Sequence, residues 1–396
     1  MKKIKREKGK KMKKNELGTI VAEFPPNMEE KNCRNSEGAF FPLPDKRILF
    51  VYSRFGGEGW EDWACSDIGF AISKDQGRTF EKKGILMTCK EEKAKNIMSL
   101  SLIPMENGDI GLFYLVRTTY TVMQMYLRRS GDGGETWSER VLCTPEEGFF
   151  VVNNDRVVRL ASGRILIPAA VHRTGKTGDK EKEASRPFEN TPDGNLYMDS
   201  RSEVMFFYSD DDGRSWMVSE GKCSMPHLAN CQSGLQEPGV LEIRPGILWG
   251  FARTDLGRQY EMYSMDNGNT WTSAQPSRFT SPNSPLSMKR NWDGIIYAVW
   301  NPVPEYNGRE KKTEIFTGGR TPYVIAMSRD NGKTFSREVA FETEEDHGYC
   351  YCAMCFLEDG ILLGYNAGGP KEKSCLTKLR IRRISYEQLE DAVTED

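Results

Sequence analysis

One eight-residue phrase occurs five times in this chain of 396 residues and constrains its fold more than any other feature. The pattern is Ser-x-Asp-x-Gly-x-[Thr/Ser]-[Trp/Phe], and the copies begin at Ser73, Ser130, Ser209, Ser264 and Ser328. An Asp two residues before a Gly favours a tight turn, because the carboxylate can accept backbone N–H groups and Gly can adopt positive φ. A β-rich segment such as MYLRRS or YVIAMS precedes each copy. We therefore expect each copy to be the turn of a β-hairpin in one recurring unit.

The spacing of the copies predicts a β-propeller. They start 57, 79, 55 and 64 residues apart, and a second hairpin lies upstream of the phrase in each unit, as in MENGDIGLF and IRPGILWGF. Propeller blades typically have four strands in about 40–50 residues, so we interpret these units as blades with longer loops. Five units carry the phrase, and a sixth runs from residue 346 onward without it. The prediction is an all-β fold, a six-bladed β-propeller.

The ends of the chain and one internal stretch stand apart from the repeats. We expect residues 1–17 to be a disordered basic tail and residues 18–396 to form a single propeller domain. The strand predicted over residues 18–24 should join the last blade and close the ring, which removes exposed sheet edges. Helical periodicity is confined to residues 385–393. The polar stretch Arg173–Arg201 is interpreted as an insertion on one face.

Composition and charge narrow the expected partners. A formal net charge of −2 gives no reason to expect nucleic acid or an anionic membrane, and no apolar run reaches the roughly 18 residues of a membrane helix. The N-terminus lacks the apolar stretch of a secretory signal and the ten cysteines lack disulfide-framework spacing, so we expect a cytoplasmic protein. Cys350, Cys352 and Cys355 are interpreted as small buried hydrophobes. We predict no cofactor and no metal site, and the sequence specifies no oligomeric state.

The repeated phrase resembles the Asp box of the sialidase (neuraminidase) superfamily, and the resemblance covers about residues 18–385. Asp boxes also occur in unrelated propellers, so they indicate the fold and not the activity. The resemblance implies a retaining exo-glycosidase that removes a terminal sialic acid, or a related acidic 2-keto sugar, from a small carbohydrate or glycoconjugate. The alternatives are a non-catalytic carbohydrate-binding propeller and a hydrolase or lyase that acts on another acidic sugar.

The chemistry of such a sugar specifies the side chains to look for. A sialic acid carries a carboxylate on its anomeric carbon, which Arg matches with a permanent charge and bidentate geometry. The same carboxylate would repel an anionic nucleophile, whereas a neutral Tyr that is deprotonated by a Glu avoids the repulsion. An Asp serves as general acid and then as base. The site should therefore hold three Arg, one Tyr, one Glu and one Asp.

The later blades match the family's pattern at four positions. In LQEPGVLEIRPGILWGFARTDLG a Glu-bearing strand precedes an Arg-bearing strand, which selects Glu237 as the base and Arg253 for the carboxylate. Arg320 in GRTPYVIAMS matches the family's third Arg, and the strand YCAMCFLEDG selects Tyr351 as the nucleophile. Two nearby residues remain alternatives to Glu237 and Tyr351: Glu242 and Tyr349.

The first blade matches less closely. Arg34 precedes the first hairpin but lacks the Ile-Pro that usually follows the first Arg of the family, and Arg54 on the next strand is its rival. Asp67, six residues before the first Asp box, is predicted to be the general acid. Three carboxylates of the same loop compete with it: Glu58, Glu61 and Asp62.

Two further residues are predicted as secondary substrate contacts. Asp155 lies in VVNNDRVV, where polar residues precede an apolar run, and Arg258 lies in TDLGRQY, beside Arg253. Structural hydrogen bonding explains either residue about as well as substrate contact does.

Overall fold

The structure is a computed structural model that describes residues 17–57, 59–176, 189–190, 196–226, 228–304 and 314–394. Within these residues the secondary structure is almost entirely β, apart from a short 3-10 turn at Met28–Glu30 and one α-helix near the C-terminus. No helix of this part of the chain is long and apolar enough to cross a membrane. The expectation for the N-terminal tail falls on residues outside the description, except for Leu17.

The strands form five sheets. β1 (Thr19–Phe24) belongs to the last sheet, and the first complete sheet in the chain contains β2 (Asn32–Pro42), β3 (Ile48–Gly56), β4 (Ser66–Ser73) and β5 (Glu81–Met87). A ten-stranded sheet follows, with β6 (Asn96–Pro104), β7 (Ile110–Arg117), β8 (Met123–Ser130), β9 (Val141–Leu142), β10 (Phe149–Val151), β11 (Val158–Arg159), β12 (Ile165–Lys176), β13 (Glu189–Asn190), β14 (Leu196–Ser209) and β15 (Met217–Val218).

The remaining sheets have four strands each. One contains β16 (Gln236–Arg244), β17 (Ile247–Arg253), β18 (Arg258–Ser264) and β19 (Gln275–Thr280), and the next contains β20 (Ser287–Arg290), β21 (Ile296–Trp300), β22 (Tyr323–Ser328) and β23 (Val339–Glu342). The last contains β24 (Gly348–Phe356), β25 (Gly360–Gly368), β26 (Leu379–Ser385) and the N-terminal β1, and α1 (Tyr386–Thr394) follows it.

The sheets follow one another in a closed circle. β2 contacts β6 and β24, β12 contacts β16, and β20 contacts both β16 and β24. β1 pairs antiparallel with β26, so the strand predicted over residues 18–24 does join the last sheet. Apolar side chains fill the space between neighbouring sheets, because each sheet buries both faces against its neighbours. This is the arrangement of a β-propeller, and it brings strands of several sheets to the centre.

The five copies of the repeated phrase have the same local structure. In every copy the Ser hydroxyl donates to the Asp carboxylate over 2.8–2.9 Å and accepts the Gly amide over 2.7–2.9 Å. The amide of the following Thr or Ser donates to the same Asp over 2.9 Å. The Gly has positive φ in every copy. Each phrase is thus a self-contained turn whose Asp accepts the bonds that hold it closed.

The structure shows that both ends of the predicted insertion Arg173–Arg201 are strand rather than loop. β12 continues to Lys176 and β14 begins at Leu196, with Thr174 opposite Met198, so both ends of this stretch are paired strand. Pairing satisfies the backbone N–H and C=O groups of these residues, which polar side chains alone do not reveal. Residues 177–188 and 191–195 lie outside the described part of the chain.

Candidate active site

A cavity of about 240 Å³ lies at the centre of the circle. Its polar lining includes side chains from several sheets: Glu37, Asp62, Ser99, Arg117, Asn153, His172, Gln236, Glu237, Arg253 and Tyr351. Its apolar lining consists of Trp63, Met98, Leu115, Tyr120, Met123, Phe149, Val151 and Met198. Polar and charged groups that converge beside an apolar wall are typical of a small-molecule site.

Four central strands use the same irregularity to reach this cavity. The pairing register shifts in β2, β6, β16 and β24. Each shift encloses two residues, and the first of them has positive φ and lines the cavity: Glu37 (53°), Ser99 (57°), Glu237 (46°) and Tyr351 (60°). Such a conformation costs a non-glycine residue about 1 kcal/mol or more. β-Bulges re-aim side chains beside functional sites, and here they gather residues from four strands.

Tyr351 and Glu237 meet across the cavity. The Tyr351 hydroxyl donates a hydrogen bond to Glu237 Oε1 over 3.1 Å. Burial raises the pKa of Tyr351, as does the negative charge of Glu237, while the charges of Arg320 and Arg253 oppose the rise. The phenol is therefore protonated at rest, and Glu237 is placed to accept its proton.

The two sequence alternatives to this pair lie elsewhere. Tyr349 is fully buried and its hydroxyl donates to Glu344 over 3.3 Å. Glu242 accepts the Gly246 amide over 2.9 Å at the far hairpin of its sheet. The two tyrosines do not share a face, because the bulge that contains Tyr351 breaks the alternation of β24.

Two of the predicted arginines flank the pair. Arg253 Nη1 lies 2.7 Å from Glu237 Oε2, and the Arg320 guanidinium lies 5.4 Å from the centroid of the Tyr351 ring. Asn283 holds both: its side-chain oxygen accepts Arg253 Nε over 2.5 Å, and its carbonyl accepts Arg320 Nη2 over 3.2 Å. The sequence analysis did not identify Asn283.

The third predicted arginine, Arg34, is almost completely buried on β2. Its Nη1 donates to Asp62 Oδ1 over 2.6 Å, and its Nη2 lies 3.2 Å from Glu37 Oε1. The guanidinium also lies 4.3 Å from the centroid of the Phe55 ring. Arg34 thus joins two carboxylates that line the cavity.

Glu37 is a cavity residue that the sequence analysis missed. It is 4% exposed, and Ser99 Oγ donates to its Oε2 over 2.5 Å. Burial raises the pKa of Glu37 to about 7, with opposing effects of Arg34 and of the Ser99 hydrogen bond and a further rise from Asp62 and Glu237. A carboxyl group that titrates near neutral pH inside a cavity is a candidate functional group.

The structure brings Asp62 rather than Asp67 to the cavity. Asp62 lines it, with its side chain 67% exposed. Asp67 lies on β4 opposite Arg54, and its carboxylate accepts the Cys89 amide over 2.8 Å, outside the cavity lining. The Glu61 carboxylate accepts the amide of the neighbouring Trp60. Glu58, the remaining alternative, lies outside the described residues.

Arg54 and Arg258 also point away from the cavity. Arg54 donates to the carbonyl of Glu30 over 3.1 Å and lies 3.4 Å from its carboxylate. Arg258 is exposed on β18, where its Nη1 donates to the Ser277 carbonyl over 3.4 Å. Both arginines contact neighbouring structure rather than the residues around Tyr351.

Asp155 ties central strands together instead of lining the cavity. Its carboxylate lies 2.5 Å from Lys289 Nζ on β20 and accepts the Met354 amide on β24 over 2.9 Å. These contacts agree with structural hydrogen bonding, which the sequence analysis left open for Asp155 beside substrate contact.

Two further residues of the cavity lining, a cationic and a titratable one, were not predicted by the sequence analysis. Arg117 lies with its guanidinium 5.1 Å from the centroid of the Phe149 ring. His172 Nδ1 lies 2.8 Å from the Asp199 carbonyl, and burial lowers the pKa of the imidazole. A neutral ring that donates from Nδ1 leaves Nε2 as an acceptor.

One group of potential metal ligands lies outside the cavity. Among the described residues, Cys65, Asp67 and Cys89 each offer a ligand atom, all within 4.8 Å of one another. Cys65 and Cys89 are joined in a disulfide, a pairing that the cysteine spacing does not indicate. With both sulfurs in that bond they are not available as thiolate ligands.

Similarity to curated proteins points to one family. An anhydrosialidase from Macrobdella decora is 24% identical over 301 residues, which is 69% of this chain and 34% of that protein. A sialidase from Paraclostridium sordellii is 22% identical over 272 residues, 62% of this chain and 60% of that protein. The chain thus spans less than two thirds of either relative.

Solved structures support the same fold. The K499G mutant of the NanB sialidase from Streptococcus pneumoniae superposes with a TM-score of 0.64 at 13% identity, over 94% of this chain and 71% of that chain. The BNR repeat-like domain family matches residues 86–363, most of the chain. The chain therefore belongs to the BNR repeat-like domain family and to the sialidase superfamily.

Proposed function

We propose that this protein is a retaining exo-glycosidase that hydrolyses a terminal sialic acid or a related acidic 2-keto sugar. The observation that carries the proposal is the 3.1 Å hydrogen bond from Tyr351 to Glu237, with Arg253 2.7 Å from the same carboxylate. A tyrosine with its own carboxylate base, flanked by arginines, suits a sugar whose anomeric carbon bears a carboxylate. The similarity to a sialidase and an anhydrosialidase supports the reaction class.

The carboxylate of the sugar binds to Arg34, Arg253 and Arg320. All three guanidinium groups adjoin residues of the cavity lining. Within the described residues, the buried Nε atoms of Arg34 and Arg320 have no hydrogen-bond partner. These two atoms are buried, so it is the permanent charge of the guanidinium groups that favours an incoming carboxylate.

The Tyr351 hydroxyl attacks the anomeric carbon and transfers its proton to Glu237. The bond between the anomeric carbon and the leaving oxygen breaks as the new C–O bond forms, which gives a glycosyl–tyrosine intermediate. Water then displaces the phenol, which recovers a proton, and the two displacements together retain the anomeric configuration.

The leaving oxygen takes its proton from Asp62 in this proposal, in place of Asp67. Asp62 is supported by its position at the cavity and by its exposure, which allows a proton to return from solvent between the two steps. Its contact with Arg34 fixes the carboxyl group beside the carboxylate-binding arginines. In the second step the same group removes a proton from the attacking water.

A fluorogenic sialoside assay of Tyr351→Phe tests the proposal, with Tyr349→Phe as the matched control on the same strand. We expect turnover in the wild-type protein, a loss of at least about 10³-fold in kcat for Tyr351→Phe, and near wild-type kcat for Tyr349→Phe. NMR of the first-formed product should show the anomer of the substrate.

Two outcomes would overturn the proposal. Absence of turnover on a panel of acidic glycosides, with binding retained, would indicate a carbohydrate-binding propeller. A product with inverted anomeric configuration, or an unsaturated product, would indicate another hydrolase or a lyase.

We also infer that the ten-stranded sheet comprises two blades. β6, β7, β8 and β9 form one four-stranded unit, and β11, β12, β14 and β15 form the core of the next, with β10 pairing to both β8 and β12. Counted in this way, the propeller has six blades, and five of them carry an Asp-box hairpin.

A further inference from the structure

The proposed reaction assigns no role to Glu37, although the burial and the positive φ of this residue both cost folding free energy. It lines the cavity from a bulge with positive φ and is 4% exposed. Each of its oxygens already has a partner, since Oε1 lies 3.2 Å from Arg34 Nη2 and Oε2 accepts Ser99 Oγ over 2.5 Å. A buried carboxylate and a strained backbone at one residue are expected where the residue serves function rather than stability.

Glu37 shares its ion-paired guanidinium with a second carboxylate. Arg34 is the only guanidinium with an ion pair to Glu37 among the described residues, and it is shared with Asp62 over 2.6 Å. Glu237 acts on Glu37 from β16. Two carboxylates thus share Arg34, while Glu237 is paired with Arg253. Two more arginines lie nearby: Arg117 lines the cavity, and Arg320 lies beside Tyr351. From the other packed strands, Ser99 contributes a hydroxyl and Tyr351 a protonated phenol.

Binding of an anionic sugar at Arg34 adds a third carboxylate to this guanidinium. If it binds to Arg34, it comes to the guanidinium that also contacts Glu37 and Asp62. Like charges a few ångströms apart disfavour ionisation of at least one of them, and the buried group is the one that solvent stabilises least. Glu37 is more buried than Asp62, whose side chain is 67% exposed.

We infer that Glu37 binds the carboxylate of the sugar as a neutral carboxylic acid, so that the protein takes up one proton when an anionic sugar binds. The inference rests on the proposed function, since it requires an acidic sugar at Arg34. It adds a specificity determinant: a neutral Glu37 removes one negative charge beside Arg34, which favours an anionic ligand.

The sign of the pH dependence follows from this proton uptake. Burial raises the pKa of Glu37 to about 7. Below that pH the carboxyl group is already neutral, and binding requires no proton. Above it, each bound anion must bring one proton to Glu37, so the apparent Kd should rise about tenfold per pH unit.

Isothermal titration calorimetry measures this proton directly. The probe is the 2,3-didehydro analogue of N-acetylneuraminic acid, which carries the carboxylate but no leaving group, and its methyl ester is the uncharged control ligand. Titrations at pH 8 in phosphate and in Tris, whose ionisation enthalpies differ, give the number of protons taken up. We expect close to one proton for the acid and none for the ester.

Two variants distinguish Glu37 from other groups. Glu37→Gln keeps the shape and cannot ionise, so it should bind the acid without proton uptake and with a Kd that is flat between pH 6 and pH 8. Ser99→Ala removes a hydrogen bond that opposes the raised pKa of Glu37. The pKa of Glu37 should therefore be higher in Ser99→Ala, and the Kd of this variant should begin to rise at a higher pH than that of the wild-type protein.

The outcomes separate the two proposals. If the wild-type protein does not bind the acid even at pH 6, the proposed function is overturned. If it binds the acid at pH 8 with no proton uptake, or if Glu37→Gln takes up the same proton, the role of Glu37 is overturned and the proposed function stands.

Discussion

The hydroxyl of Tyr351 donates to the carboxylate of Glu237 over 3.1 Å, although 114 positions of the chain separate the two residues. Each residue is the positive-φ residue of a bulge in a central strand, Glu237 in β16 and Tyr351 in β24. The contact therefore depends on two equivalent distortions in two different sheets. Neither strand would present its side chain in the same way if it kept regular pairing.

Glu237→Gln should abolish most turnover without unfolding the protein. The amide cannot accept the phenolic proton, whose pKa is already raised by burial and by Glu237 itself, so we expect kcat to fall about 10²–10⁴-fold. Glu242→Gln is the matched control on the same strand, because Glu242 contacts the Gly246 amide rather than the cavity. Steady-state kinetics on a fluorogenic sialoside checks both. Equal losses in the two variants would contradict the assignment of the base.

Asp62→Asn should show a loss that depends on the leaving group. An alkyl or sugar leaving group needs a proton, so its kcat/KM should fall about 10²–10³-fold. A nitrophenol leaves as the anion, and its loss should be much smaller. Asp67→Asn serves as the control, since the Asp67 carboxylate accepts the Cys89 amide outside the cavity. A larger, leaving-group-dependent loss in Asp67→Asn would restore Asp67 as the acid.

The fold was predictable to the level of the β-propeller because its signals are local. Each Asp box closes its own turn through contacts within eight residues, and so it is readable from sequence. The pairing of β1 with β26 followed from the need to close the ring. The strand extensions around Thr174 and Met198 were missed, since long-range pairing overrides a polar composition.

Several cavity residues occupy a recurrent place in their blades, a count that the sequence analysis did not use. Glu237 lies nine residues before Gly246, a positive-φ turn residue, and Ser99 lies nine residues before Gly108. Glu37 lies nine residues before Lys46, which also has positive φ, so the same count would have found it. Asp62 has no such marker, because it lies on the loop of residues 57–65, whose course no repeat specifies.

Glu37→Gln should stabilise the protein at alkaline pH. The pKa of Glu37 is about 7 in the folded protein, above its ordinary value of 4.5, so the folded state favours the neutral form. Folding stability is then lost as pH rises from 4.5 to about 7, by about 3 kcal/mol in total. Glutamine cannot ionise and avoids this loss.

Urea unfolding at pH 5 and pH 8 tests that expectation. The free energy of unfolding of Glu37→Gln relative to the wild-type protein should increase by about 2.5 kcal/mol between the two pH values. Glu220→Gln, a change at an exposed carboxylate, should keep the pH dependence of the wild-type protein. A constant difference between Glu37→Gln and wild type would show that Glu37 is ionised throughout this range.

Asp75→Ala should weaken the fold and leave the chemistry intact. Asp75 accepts four hydrogen bonds, from the hydroxyl of Ser73, the amides of Arg78 and Thr79 and the hydroxyl of Thr79. Their loss leaves the turn without its acceptor, so we expect the free energy of unfolding to fall by about 1–3 kcal/mol. Lys74→Ala, which removes an exposed neighbour, should change the free energy of unfolding by less than about 0.5 kcal/mol.

Because the Asp box lies outside the cavity lining, kcat at a temperature where both variants are folded should match the wild-type value. A fall in kcat without a fall in stability would mean that the boxes contribute to catalysis and not only to the fold.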